Sequence, residues 1–584
     1  MIVLGFLGFA IAAYLLAIRW YGAYLARTLG EDPGRPTPAH TCEDGRDFVP
    51  TKTHVLFAHH FSAIAGAGPI IGPTMAILYG FLPAWLWVVL GAVFIGAVHD
   101  FTALFISMRE GGRSMAEIAK KTLGKSGFLL FIMFTILMLV LVTSSFLNAV
   151  AASLTSMWPL AKMGLSEGQT LLRTVVRDGV VVGRIGGIAS SSVVIITCLS
   201  PLLGWLLYKR NLRSVPAYLL ASVICIGSIL VGIYFPFVLS RNAWLILITV
   251  YVFFAAGVPV WVILQPRDFI NVQVLYAGIG LLAAGLLVAG FRNAPFSMPA
   301  MNMAEGTANL GLMYPMMFIT IACGAISGFH SLVAGGTTGK QLDTERDARR
   351  IGFNAMLLES LLAVCVLLAI GVGMNFVDYK SIVFPVKELG VKSNPILAFS
   401  LSVGHLVDNH LGIPVDLGTV FGILLVEGFV ITTLDAAVRL NRYLFEELWS
   451  TLLPRTPALM KNYWFNSGLA VVLMWLFAIT NAFDALWPIF GAANQLLAAL
   501  GLITVTMWLI LRGSQYIFAL APALFMMVTT TASLLLLFNK YWTEHSYLLL
   551  ATTVLLLALS AGVVVLVYKK MRYLRRSSAS AQAE

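Results

Sequence analysis

The chain has 584 residues, of which 59% are hydrophobic and 11% charged, with a net charge of +11 and a mean hydropathy of +0.88. Soluble domains carry about 25% charged residues, so this composition excludes a soluble fold and defines a polytopic, all-α membrane protein. The positive charge sits in loops, where it reports membrane topology, and nucleic acid is excluded as a partner.

A bilayer core about 30 Å thick takes roughly 20 apolar helical residues. About 15 segments meet that length: 2–28, 54–80, 82–108, 127–158, 190–208, 215–239, 243–264, 271–291, 312–337, 351–376, 414–438, 465–482, 485–511, 515–538 and 546–568. The first contains Arg19 and Trp20, lacks a basic n-region, and reads as a retained span rather than a signal peptide. The stretch 377–413 is polar and mixed. In VWVILQPRDFIN, Pro266 is expected to end the seventh span and Arg267-Asp268 to sit in a tight turn at the inner face. The tail RRSSASAQAE is expected to be disordered. With the N-terminus outside and 15 alternating spans, the basic runs Arg109–Lys125, Lys209–Arg213, Lys340–Arg350 and Lys569–Arg576 all fall inside, as does the C-terminus. No C-x-x-C pair and no G-x-x-x-x-G-K-[ST] motif occurs. Any pumping by such a chain would need an ion gradient or a separate partner, and no cofactor is implied.

Segment 54–80, HVLFAHHFSAIAGAGPIIGPTMAILYG, is apolar at both ends. Its middle holds His59, His60, Ser62, Gly66, Gly68, Pro69, Gly72 and Pro73. Gly and Pro weaken a helix, and the freed backbone groups find no partner in lipid. The segment reads as a discontinuous helix. Segment 312–337 carries a second small-residue break beside Ser327 and His330, and the charge pattern gives the two opposite directions. Paired broken helices suit a transport site, in which half-helix N-termini meet a carboxylate and free carbonyls hold a cation. Close packing through small residues is the structural alternative.

His99-Asp100 in GAVHDFTALFISMR lies within a span. The pair suits a proton relay or a helix-packing bond. His59, His60, His99 and His330 are weak metal-ligand candidates, matching no local metal motif. In VEGFVITTLDAAVRL, Thr432 and Thr433 precede Asp435, and their hydroxyls suit Na⁺. Asp435 and Arg439 are spaced for an i,i+4 ion pair. Glu427 is intramembrane, and Glu359, Asn494 and Gln495 are further buried polar residues that read as interhelical glue.

The ordered motifs RPTPAH…DGRDFVPTKTHVLFAHHFSAIAGAGPIIGP, GAVHDF, LQPRDFIN, ACGAISGFHSLVAGGTT and TTLDAAVRLNRYLFEE resemble the carbon starvation protein A family of bacterial inner-membrane transporters, from about residue 19 to at least 500. The resemblance implies a five-plus-five inverted repeat (LeuT/APC-like). It implies a main domain over 1–376, a C-terminal helical domain over 377–570 and a cytoplasmic tail over 571–584. It also implies symport of a short peptide, or of pyruvate with a proton, during carbon limitation. Substrate-binding candidates are then His59, His60, Ser62, Gly66, Gly68, Gly72, Ser327 and His330. The ion-coupling candidates are His99, Asp100, Thr432, Thr433 and Asp435, for H⁺ or Na⁺. A plain five-plus-five scheme leaves the partner of 54–80 open between segments seven and nine. A sensor without flux, an intramembrane metal or redox protein, and a channel are the competing classes.

Overall fold

The computed structural model describes residues 2–44, 47–177, 179–210, 212–259, 261–386, 392–453 and 455–581. Among the described residues, twelve helices are long and apolar enough to cross a membrane, and the bent pair Thr53–Ile64 and Gly68–Tyr79 brings the count to thirteen if it is taken as one span. The two remaining apolar segments are shorter pieces: Arg241–Gly257, with 17 residues, and Met313–Thr320 followed by Phe329–Gly336.

Burial ranks the helices. Phe483–Leu511 is at the centre, with 83% of its apolar window buried, and Ile2–Leu29 is at the rim, with 28%. Glu345–Gly373, Val415–Leu452 and Phe81–Arg109 complete the inner group. These helices carry His99, Asp100, Glu359, Glu427, Asp435, Asn494 and Gln495, consistent with the penalty for placing such groups against lipid.

Three features depart from the sequence reading. First, the polar stretch 377–413 contains the helix Pro395–Leu411, buried over most of its length. Its Ser and Gly content lowers its hydropathy but allows close approach: a Cβ on Gly404 would stand 2.1 Å from Thr419 Oγ1, and one on Gly418 would stand 2.9 Å from Gly404 Cα. Protein, not lipid, surrounds it. Second, Pro266 does not end a helix; it occupies the first turn of Leu264–Phe291, where its missing N–H is tolerated. Third, the loop after Lys125–Leu154 forms a three-stranded antiparallel sheet of Met157–Pro159, Val180–Arg184 and Thr174–Arg177, in that spatial order. Its signal is the Asp-Gly turn sequence between two valine runs. The polar tail falls partly within the helix Tyr547–Ala581; residues 582–584 lie outside the described residues.

One end of the bundle is tied by ion pairs. Arg109 Nε meets Glu345 Oε1 at 2.5 Å and Arg349 Nε meets Glu31 Oε2 at 3.2 Å. Thr53 Oγ1 donates to Asp347 Oδ1 at 2.8 Å, which fixes the start of the bent pair.

Candidate functional site

The bent pair turns by 46° at Ala65–Ala67, where Pro69 and two glycines interrupt the hydrogen-bond ladder. Its glycines face neighbours that leave no room for a side chain. A Cβ on Gly68 would stand 2.3 Å from Cys323 Sγ, one on Gly72 2.9 Å from Thr320 O, and one on Gly66 3.0 Å from Thr433 Oγ1. The two breaks therefore touch each other, and the first also touches the helix Val415–Leu452. His60 is buried, with Nδ1 2.8 Å from Thr338 Oγ1 beyond the second broken helix. Partners descend from 338 to 323 to 320 as the first helix ascends from 60 to 68 to 72, so the two broken helices run antiparallel. His59 is exposed and Ser62, three residues on, half-buried, so both lie on the accessible face of Thr53–Ile64.

The second break is held by the central helix Phe483–Leu511. Gln495 Nε2 donates to Phe318 O at 2.6 Å and to Ile321 O at 3.3 Å. Trp487 Nε1 donates to Thr320 O at 3.0 Å, and Asn494 Nδ2 to Ala322 O at 3.4 Å. Asn494 Oδ1 accepts from Phe329 N at 3.1 Å, and its Nδ2 lies 3.1 Å from Ser327 Oγ. Side-chain amides thus occupy the carbonyls that would otherwise face a cation, and Ser327 is engaged by Asn494. The amides behave differently. Among the described residues, the N–H groups of Ala67 and Gly68 in the first break and of Ala322–Ser327 in the second reach no acceptor. Two antiparallel breaks in contact therefore concentrate free donors, and such donors attract an anion.

Beside the breaks lies a buried chain of ionisable groups. Asp100 Oδ1 is 2.7 Å from His99 Nδ1, and its Oδ2 is 2.6 Å from His330 Nδ1. His330 Nε2 is 3.3 Å from Glu359 Oε2. All four side chains are at most 1% exposed. π-helical turns precede two of them: Ala92–Gly96 before His99, and Arg349–Phe353 before Glu359. Such turns shift the register of the following helix and often mark functional positions. Gly96 packs on the second break, where a Cβ would stand 2.3 Å from Ala325 O. The sequence pointed to His99-Asp100 as a pair and to His330 on another segment. Glu359, read as glue, is the member it missed; an acid buried in an apolar span was the available signal. The metal reading gains no geometry: no group of three or more His, Cys, Asp and Glu side chains among the described residues is arranged to hold an ion. His99 and His330 flank a carboxylate, while His59 points away from His60.

The third cluster corrects an expected pairing. Asp435 does not pair with Arg439. Its Oδ2 accepts from Tyr251 OH at 2.5 Å and from Arg267 Nη1 at 2.8 Å. Arg439 Nη2 instead donates to Ala255 O at 2.5 Å and Val258 O at 2.6 Å, capping the C-terminus of Arg241–Gly257. Spacing of i,i+4 allowed the ion pair, but a guanidinium serves helix-end carbonyls as well. Thr432 lies beside the Asp268 carboxyl, and Thr433 faces the first break.

A buried chain of ionisable groups beside touching broken helices, in a multi-pass helical bundle, fits a protein of the membrane-transporter class. Comparison gives the family: "Carbon starvation protein CstA" matches over residues 2–393 and 378–533, and the chain belongs to it. It is 32% identical to the pyruvate/proton symporter BtsT of Escherichia coli (strain K12), over 89% of this chain and 79% of that protein. It is 31% identical to the peptide transporter CstA of Campylobacter jejuni, over 89% of this chain and 78% of that protein. These relatives are named as transporters, not as enzymes. Among solved structures, a mutant of the Eremococcus coleocola manganese transporter aligns at 12% identity with a TM-score of 0.45, over 91% of this chain and 99% of that chain.

Proposed function

We propose that the chain is a secondary active transporter of the bacterial inner membrane, N-terminus outside and C-terminus cytoplasmic, importing a small carboxylate-bearing nutrient in symport with a proton. The observation that carries this reading is the contact between the two breaks, with unpaired amides on both. The substrate carboxylate is received by the amides of Ala67 and Gly68, with the Thr433 hydroxyl alongside and with His59 and Ser62 on the approach. The proton is carried by His99, Asp100, His330 and Glu359. A carboxylate between two imidazoles, one of which reaches a second acid, offers a proton several closely spaced positions. The four residues border the second break, so loading the chain and filling the breaks act on one structure. Names among the relatives point to two substrate classes, pyruvate and short peptides, and the family's description links it to carbon starvation.

The test is uptake into proteoliposomes. Labelled pyruvate or a labelled dipeptide should accumulate above equilibrium under an inwardly directed proton gradient and leak out when a protonophore is added. Equilibration without any gradient would make the protein a channel. Accumulation driven by sodium alone would move the coupling site to Thr432, Thr433 and Asp435. No movement of either solute would overturn the substrate class.

A further inference from the structure

Three helices, Gly186–Tyr208, Leu264–Phe291 and Val415–Leu452, enclose a second polar feature, away from the breaks. It is a cavity of about 10 Å³, room for about one water. Its polar wall is Ser192, Arg267, Asn271 and Glu427. Leu424 lines both this cavity and an apolar groove of about 230 Å³ next to it, so hydrocarbon closes that side.

Glu427 is buried, and its Oε1 accepts a hydrogen bond from Ser153 Oγ. Its Oε2 has no partner. Across the cavity, Arg267 Nη1 is already shared between Asp435 Oδ2 and Tyr251 OH, at 2.8 and 2.7 Å. Asp435 Oδ1 also lacks a partner. The other charged groups nearby do not relieve the excess: Asp268 adds a further acid beside Arg267, and Arg439 is turned onto backbone carbonyls. Helices Lys125–Leu154 and Gly186–Tyr208 contribute the neutral Ser153 and Ser192 to this site. Glu427, Asp435 and Asp268 therefore compete for one guanidinium in a cavity with room for about one water. Ionised carboxylates in excess of cations are strongly disfavoured there, and each added proton removes one unit of that excess.

We propose that Glu427 is a second proton-carrying residue of the transporter, separate from the chain of His99, Asp100, His330 and Glu359. A hydronium ion reaching the cavity transfers its proton to Glu427 Oε2, forming the O–H bond and leaving water; the reverse transfer returns the proton. Glu427 lies on the helix that presents Thr433 to Gly66, which connects its charge state to the first break through one rigid element. The role in transport rests on the proton-symport reading above; the proton binding itself does not.

The test has two arms. Infrared difference spectra between acid and alkaline buffers, taken on the purified full chain, detect protonated carboxyl groups directly and need no substrate. Wild-type protein should show a carboxyl C=O component that E427Q lacks and E359Q retains, and S153A should shift its frequency by removing the hydrogen bond. Superimposable wild-type and E427Q spectra, or no shift in S153A, would overturn the assignment. In proteoliposomes, E427Q should move the pH profile of uptake and lower the proton-to-substrate ratio, read from the reversal potential, by about one. An unchanged ratio and profile would overturn the role in coupling. If wild-type protein transports neither pyruvate nor dipeptide, the symport reading fails, and the infrared arm still decides the proton site.

Discussion

Cys323 fills the space that a side chain on Gly68 would need: its Sγ lies 2.3 Å and its own Cβ 2.5 Å from the position of a Cβ there. This contact joins the two broken helices. G68A is expected to force the breaks apart, at about 1–3 kcal/mol, as for overpacking elsewhere. The melting temperature in detergent should fall, and C323G should restore part of it in the double variant. G72A should not respond to C323G, because Gly72 meets the backbone of Thr320 and Ile321.

Removing His330 takes from Asp100 Oδ2 its hydrogen-bond partner and from Glu359 its nearest polar neighbour. H330A should destabilise the protein by about 3–5 kcal/mol, as when one member of a buried ion pair is lost. D100N keeps the shape and deletes the charge. It should abolish accumulation driven by a proton gradient while leaving exchange of substrate between equal concentrations intact. Counterflow and gradient-driven uptake, measured on the same liposomes, separate the two.

Arg267 is hydrogen-bonded to an acid and Arg439 to backbone carbonyls. R267M should be among the most destabilising single changes in the bundle, at about 3–5 kcal/mol, because it strands Asp435 and Glu427. R439M loses chiefly its bonds to Ala255 O and Val258 O, worth about 1–3 kcal/mol. Thermal denaturation of the two variants should rank them in that order. The reverse order would mean that Asp435 draws on Arg439 after all.

Glu110 lies just past the end of its span. Burial raises its carboxyl pKa, but hydrogen bonds from Lys121 and Trp508 and the charges of Lys121 and Arg512 outweigh that and hold it below the ordinary glutamate range. Its stabilisation is therefore complete above the unfolded value of about 4.3 and is lost as pH falls through the lower folded value. E110Q should melt below wild type at neutral pH, and the gap should close as the buffer is acidified past the glutamate range. A gap independent of pH would assign the effect to packing of Trp508 alone.

Sequence alone established the membrane class, the places of most spans and both breaks, because those follow from local quantities. Hydropathy over a window reports lipid burial, and Gly66, Gly68, Pro69 and Gly72 cannot sustain an ordinary helix. His99-Asp100 was conspicuous for the same reason: a local cost without a local explanation. The helix Pro395–Leu411 was not legible, because protein rather than lipid covers it and its polar content disguises it. Tertiary structure decided everything that depends on partners distant in the chain. It placed Glu359 beside His330, gave Asp435 to Arg267 instead of the nearby Arg439, and seated Asn494 and Gln495 on the carbonyls of the second break. Each outcome is a competition among several donors for one acceptor in a medium with little water. Spacing along a single helix names the competitors; only the packing of helices far apart in sequence selects which of them meet.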